Sequence, residues 1–401
     1  MAAIATLPWI AGQTKKGGTQ MKDTQALEQL AKSAAQSQNS FGLKLMADLA
    51  AEHPRKNVFI SPLSIYLALA MAETGSAGKT RSAMRHTMAV PGALSEDAFH
   101  ESAAALSHVL RTRRDVELAI ANALWSDPSL PLAPAYVQRC RELFEAEATT
   151  IEFLKPDAAD IINNWVKQKT KAKISEIVAK QQVAASKAIL TNAVYFKARW
   201  LDTFSKDATK DGVFHLANGG EKKVPLMHQA GLRGAYRSGD GFEAAELRYG
   251  HSGMGLFAIL PAQGKSPEEA LTKISVDALI HGYQPVELEL KLPRFTLDFG
   301  ASLKPGLSRM DMSIAFKFPG AEFAPLGSPL FFLGDVIHKT RLEIDEEGTV
   351  AAAVTAIFAP VGAAAPQRLE KRVLIFDRPF ALLLVDHSTG AILFAGVVYE
   401  P

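Results

Sequence analysis

The sequence predicts an α+β fold with large mixed or antiparallel sheets, and two observations carry the prediction. Apolar residues recur at helical spacing through most of the first half, whereas the second half reads as strands, by alternation or by short apolar runs. The two textures follow one another without a regular β–α alternation, which argues against a doubly wound parallel sheet.

The first segment is a helix over Asp23–Ala51, in which Leu27, Leu30, Ala31, Ala34, Ala35, Phe41, Leu45 and Leu49 keep helical spacing. "NVFIS" is a short β-rich piece that runs into Ser61-Pro62, where serine can cap a helix and proline can take its first position. The helix that follows, Leu63–Ala72, is apolar on most faces and belongs in the middle of the core. Further helices are predicted around Lys79–Met88, Glu96–Arg111, Ala133–Ala146 and Ala158–Lys171. Strands are predicted in "VELAIANALWS", "KAILTNAVYFKARW", "AELRYG", "MGLFAIL", "VELELKLPRFTLDF", "IHKTRLEID", "RVLIF", "FALLLVD" and "AILFAGVVY".

With 48% hydrophobic and 21% charged residues, the composition is that of a globular protein with a large core. A formal net charge of +2 gives no electrostatic reason to expect nucleic acid or a membrane surface as partner. No Pro/Ser-rich linker or repeat divides the chain, so one domain is expected over 23–401, behind a flexible tail over 1–22. The tail begins "MAAIATLPWIAGQTKK", which is apolar but lacks a basic leader and an A-x-A cleavage site; a signal remnant and a plain tail both stay open. The single cysteine, Cys140, cannot form an internal disulfide and reads as a half-buried structural thiol.

Catalytic signatures are missing. "ETGSAGKT" (Glu73–Thr80) has Glu73 where a phosphate loop needs glycine, and there is no H-E-x-x-H, C-x-x-C or G-x-S-x-G. The ten histidines show no metal-ligand spacing, so neither a metal nor a cofactor is expected. The run Asp345-Glu346-Glu347 reads as solvated charge rather than a catalytic carboxylate pair. Arg111, Arg113 and Arg114 close a helix, where cations suit the dipole; polyanion binding there is the lesser reading.

The segments "NVFISPLSI" (Asn57–Ile65), "LTNAVYFKARW" (Leu190–Trp200), "VIHKTRLEIDEEGT" (Val336–Thr349) and "FDRPFALLLVDHSTGAILFAGVVYEP" (Phe376–Pro401) strongly resemble the serpins, the serine protease inhibitor family. The resemblance implies a serpin fold, with about nine helices around three β-sheets and an exposed reactive-centre loop at about 347–370. It implies no enzyme but a monomeric suicide substrate. A target serine protease attacks the loop and becomes covalently linked, and the cleaved loop inserts into sheet A as a new strand. The family alone favours an extracellular or periplasmic location, and the compartment stays open.

Residue by residue, the resemblance assigns a hinge to Glu346, Glu347, Gly348, Thr349, Val350, Ala351, Ala352 and Ala353. Insertion places alternate residues on opposite faces of the sheet, and here both faces are small and uncharged. Val350 departs from the glutamate more common in the family, but valine favours the strand. Ser61, Ser64, Asn192 and His338 match the polar cluster beneath sheet A, the shutter. Trp200, Arg294 and Glu346 match the breach, where the loop enters, and an Arg294–Glu346 ion pair is expected. "TIEFLKPDAADIINNWVKQKT" matches the strand and helix that lie across sheet A.

The family's usual count from Glu346 ends at Gly362, giving Gly362–Ala363 as the reactive bond. Val361, after Ala359-Pro360, is an alternative that suits an elastase-like pocket. Arg368–Leu369 is the trypsin-like alternative. A non-inhibitory member acting as a binding or storage protein is the rival reading.

Overall fold

The computed structural model describes residues 17–349 and 369–401, with side chains from Thr24 onward. In chain order its elements begin with α1 (Gly17–Glu52), β1 (Val58–Ile60), α2 (Pro62–Glu73), α3 (Gly78–Thr87), α4 (Glu96–Arg111), β2 (Val116–Ser126), α5 (Pro134–Phe144), β3 (Glu147–Thr150), α6 (Ala158–Lys169) and α7 (Lys180–Ala184). The middle of the chain supplies β4 (Ala188–Arg199), β5 (Lys210–His215), β6 (Glu221–Arg233), β7 (Tyr236–Gly239), β8 (Phe242–Tyr249) and β9 (Met254–Pro261). Then come α8 (Pro267–Lys273), α9 (Val276–His281), β10 (Val286–Pro293), β11 (Phe295–Ser302), α10 (Lys304–Leu307), β12 (Asp335–Ile344), β13 (Gly348–Thr349), β14 (Glu370–Ile375), β15 (Phe380–Asp386) and β16 (Ile392–Val398).

The strands form three sheets. Sheet A runs β11-β12-β4-β2-β3, with β13 added on β4; sheet B runs β1-β16-β15-β9-β8-β7; sheet C runs β14-β10-β6-β5. This is the predicted α+β architecture, with ten α-helices among the described residues rather than about nine; the shortest is α10, of four residues. Helix α1 begins at Gly17, within the stretch expected to be a tail. The residues between Gly18 and Asp23 include no proline to stop it.

All of α2 is buried, as its apolar faces require, and it sits under the inner face of sheet A against β4 and β2. Ser61 caps it, the Oγ accepting from the Ser64 N–H at 3.2 Å, with Pro62 in the first turn. Alternation along the strands of sheet A feeds two cores. Leu118, Ile120 and Leu124 of β2, with Leu190, Val194 and Phe196 of β4, join the main core. Ala121, Ala123 and Trp125, with Ile189, Ala193 and Ile337, meet Ile162 and Val166 of α6 in a second cluster on the outer face. Helix α6 therefore lies across sheet A, and Trp125 and Trp165 meet edge to face at 5.5 Å beneath it.

Candidate functional site

Sheet A has a seam at its centre. Strands β4 and β12 run parallel and pair from Asp335↔Ile189 to Arg341↔Tyr195. Above Tyr195 this pairing stops and the chain folds back. Asp345 Oδ1 accepts from the backbone N–H of Glu347 at 2.8 Å and of Gly348 at 3.0 Å, while the Asp345 N–H donates to the Gly348 carbonyl at 3.0 Å. Gly348 and Thr349 then pair antiparallel with Arg199 and Ala198, so among the described residues the returning chain takes up two positions on the edge of β4. Gly348 has φ +154°, and a Cβ there would lie 2.2 Å from the Ala198 carbonyl oxygen. Only glycine lets the turn approach β4 this closely.

Midway down the seam lies a row of polar side chains. His338, Asn192 and Asn122 occupy paired positions on β12, β4 and β2. The Ser61 backbone N–H can only donate, and it reaches His338 Nε2 at 3.1 Å. His338 Nε2 must therefore accept, which leaves Nδ1 to donate to Asn192 Oδ1 at 2.5 Å. Asn192 Nδ2 donates in turn to Ser64 Oγ and to Asn122 Oδ1. Ser61 Oγ donates to the Leu393 carbonyl at 2.7 Å, which ties the row to sheet B. Burial pushes the His338 pKa down to about 3, opposed in part by the hydrogen bond with Asn192. The imidazole is neutral at pH 7, as its hydrogen bonds also demand.

At the upper end, Glu346 is buried while its partner Arg294 is half in solvent: the side chains are 4% and 51% exposed, and Arg294 Nη1 lies 3.3 Å from Glu346 Oε1. Thr209 Oγ1 donates to the same carboxylate oxygen at 2.8 Å. Trp200 Nε1 donates to the Asp345 carbonyl at 2.9 Å, and the indole stacks on Tyr249 with centroids 4.5 Å apart. Glu347 meets Lys206 at 2.6 Å, a contact that holds its carboxyl below the usual range.

The structure thus brings together Ser61, Ser64, Asn192 and His338 in one network, and Trp200, Arg294 and Glu346 in another. Asn122, Thr209 and Tyr249 belong to these networks and escaped the sequence reading. Asn122 had a signal, an amide at an inward position of an apolar strand. Val350, Ala351, Ala352, Ala353, Val361, Gly362, Ala363 and Arg368 lie outside the described residues; Leu369 directly precedes β14.

Two of the three arginines at the end of α4 are engaged. Arg113 Nε donates to the buried Asp386 at 2.8 Å, and Arg111 lies 3.1 Å from Glu145. Cys140 is fully buried rather than half-buried, because its position on α5 turns into the core; burial pushes its thiol up to about 12. Among the described residues no group of His, Cys, Asp and Glu could hold a metal ion, and no helix is long and apolar enough to cross a membrane.

The family model described as "Serpin (serine protease inhibitor)" matches residues 36–401. An uncharacterized serpin-like protein of Thermococcus kodakarensis is 33% identical over 372 residues, covering 90% of this chain and 84% of that protein. The leukocyte elastase inhibitor of Bos taurus is 30% identical over 374 residues, covering 90% and 97%. Human thyroxine-binding globulin complexed with thyroxine superposes with a TM-score of 0.82 at 25% identity, covering 94% of this chain and 99% of that one. Proteins of this kind act as suicide substrates of proteases or as binding proteins, and are not catalytic enzymes. On the family match, and on relatives aligned along nearly all of it, this chain belongs to the serpin family.

Proposed function

We propose that this protein inhibits serine proteases as a suicide substrate, trapping the acyl-enzyme by inserting the cleaved loop into the β4–β12 seam. One observation carries the reading: Gly348 and Thr349 are already paired with β4 above the seam, in the antiparallel sense that an inserted strand would continue. Continuing that register downward would bring Phe358 level with Ile189, the lowest residue of the β4–β12 pairing. Cleavage at Gly362–Ala363 would then deliver the protease a few residues past the lower edge of the sheet. Cleavage at Arg368–Leu369 would leave a longer slack tether and favour release of the protease. On this reading Glu346 to Ala353 are the hinge, and an elastase-like or subtilisin-like enzyme cutting at Gly362 or Val361 is the leading target.

The test is incubation with elastase-type, subtilisin-type and trypsin-type proteases followed by denaturing electrophoresis. A detergent-stable covalent complex is expected with one of the first two, with mass spectrometry of the released peptide placing the bond. Cleavage without complex, and without a rise in melting temperature of the cleaved protein, defeats the inhibitory reading.

A second reading has its own observation. A cavity of about 300 Å³ lies between α1 and α8, lined by Leu43, Met46, Ala47, Ala50, Leu271 and Ile274, with Lys44 and Glu268 beside them. Such a site suits an apolar small molecule with a polar end, and a structural neighbour binds thyroxine. Saturable binding of a fluorescent apolar probe, competed by an aromatic carboxylic acid, is the expected mark of a carrier.

A further inference from the structure

We propose that Tyr249 is a positioning residue that latches the hinge into its first step of insertion through a single hydroxyl–hydroxyl hydrogen bond to Thr349. Tyr249 Oη and Thr349 Oγ1 are 2.8 Å apart, and both residues are 0% exposed. Among the described residues each hydroxyl has only the other as a partner. The pair is therefore mutually obligate: with one hydroxyl gone, the other is a buried group with nothing to bond. Tyr249 is the fixed member of the pair. The tyrosine ring is stacked on Trp200, meets Phe196 edge to face at 5.0 Å, and carries a backbone bridge to Trp200 at the end of β8.

The geometry explains how one hydroxyl can hold the hinge. Trp200 is bonded to both sides of the turn, through Nε1 to the Asp345 carbonyl and through its backbone N–H to the Glu347 carbonyl at 3.0 Å. Tyr249 extends that contact two residues further down the chain, to Thr349. Turn, indole and phenol form one continuous surface against which the hinge is seated. A hinge seated there has its first strand pairs made before any protease arrives, so insertion extends an existing pairing instead of starting one. That matters because insertion competes with hydrolysis of the acyl-enzyme. The kinetic half of this inference rests on the proposed inhibitory function; the structural half does not.

Two single substitutions and their combination separate the possibilities. Tyr249→Phe removes the phenol hydroxyl alone, and Thr349→Val removes the threonine hydroxyl at constant shape. Each single change is expected to raise hydrogen–deuterium exchange of the 345–349 backbone about tenfold and to shift Trp200 emission to the red, as the hinge leaves its seat. The double variant Tyr249→Phe/Thr349→Val leaves two matched apolar groups, and is expected to restore both signals toward wild type. In inhibition assays, with the elastase-type or subtilisin-type enzyme that the wild type captures, each single variant should consume several-fold more inhibitor per protease trapped, and the double variant should recover. Exchange and emission unchanged in the singles, or no recovery in the double variant, overturns the latch. A wild-type protein that forms no covalent complex removes the inhibitory function instead, while the exchange and emission results still decide the latch.

Discussion

The middle and the upper end of the β4–β12 seam are built on opposite principles. In the middle, Ser61, Ser64, Asn122, Asn192 and His338 are all buried, uncharged and joined in one network. At the upper end a buried carboxylate leans on a half-exposed arginine, and a pair of buried hydroxyls joins the hinge to Tyr249 of β8. A satisfied network at low dielectric resists until it is broken, whereas an ion pair open to solvent on one side yields by small amounts to salt and water. The upper end has already parted to admit Gly348 and Thr349; the middle has not. On the proposed inhibitory function, further opening would have to break the network of His338 and Asn192.

The sharpest way to break this contrast is to cut each end once. His338→Ala leaves the Ser61 N–H and Asn192 Oδ1 buried without a partner, and is expected to cost about 2–4 kcal/mol in denaturant unfolding. Arg294→Ala, at the solvent side of the Glu346 pair, should cost about 1 kcal/mol or less. Equal losses at the two sites would show that the seam is held uniformly.

Acid discriminates next. His338 has its pKa pushed from the ordinary 6.5 down to about 3 in the fold. Its contribution is fully present above pH 6.5, where both states are neutral, and is lost as pH falls from 6.5 toward 3, because only the unfolded state takes up the proton. The slope contributed by this one group reaches about 1.4 kcal/mol per pH unit. Its immediate partners, Ser61 and Asn192, carry no charge that could offset it. Melting temperature against pH should fall through this window in the wild type. The fall should be shallower in His338→Gln, which has no proton to gain.

A smaller, local effect is expected at the turn. Gly348→Ala drives a methyl into the Ala198 carbonyl and should unseat β13, weakening the hinge pairing by about 1–3 kcal/mol. Global unfolding should barely move, while limited proteolysis near residue 348 accelerates. A large fall in global stability would mean that the hinge is part of the main core.

How much of this was legible in the sequence follows the same division. The buried middle announces itself. Helix α4 and strands β2 and β15 have the predicted bounds, and Ser61, Ser64, Asn192 and His338 stand in recognisable motifs. The strands missed were β3, β5, β6 and β7. In β5 only Phe214 is buried, and β6 carries lysines, Pro225 and Gly231, so their alternation is too faint to tell from a loop. The upper end was half legible. The Arg294–Glu346 pair could be expected from motif positions, but Tyr249 lies 100 residues from Thr349 and nothing local marks its hydroxyl as spoken for.

The smallest effect tests whether anything outside the seam holds it shut. After α6 the chain returns over sheet A, and its side chains grip strands on both sides of β4. Lys171 Nζ lies 2.6 Å from Glu117 on β2, Lys173 Nζ lies 3.3 Å from Glu343 on β12, and Lys339 of β12 donates to the Glu176 carbonyl at 2.6 Å. A strap of this form bridges the seam from above, so a new strand between β4 and β12 must lift or stretch it. Burial raises the Glu343 pKa, but Arg341 and Lys173 outweigh it and hold the carboxyl below its ordinary value. The strap therefore persists above the ordinary carboxylate pKa and loosens only as pH falls through the lowered one. The pairs are partly exposed, so Lys173→Met should weaken the strap by only about 0.2–1 kcal/mol, and added salt should mimic the substitution. The expected readout is a several-fold or smaller acceleration of loop insertion by a synthetic hinge peptide added in trans, erased in 1 M salt. An acceleration that survives high salt would assign the effect to packing of α6 on Trp125 instead, and would move the outer barrier from the strap to the helix.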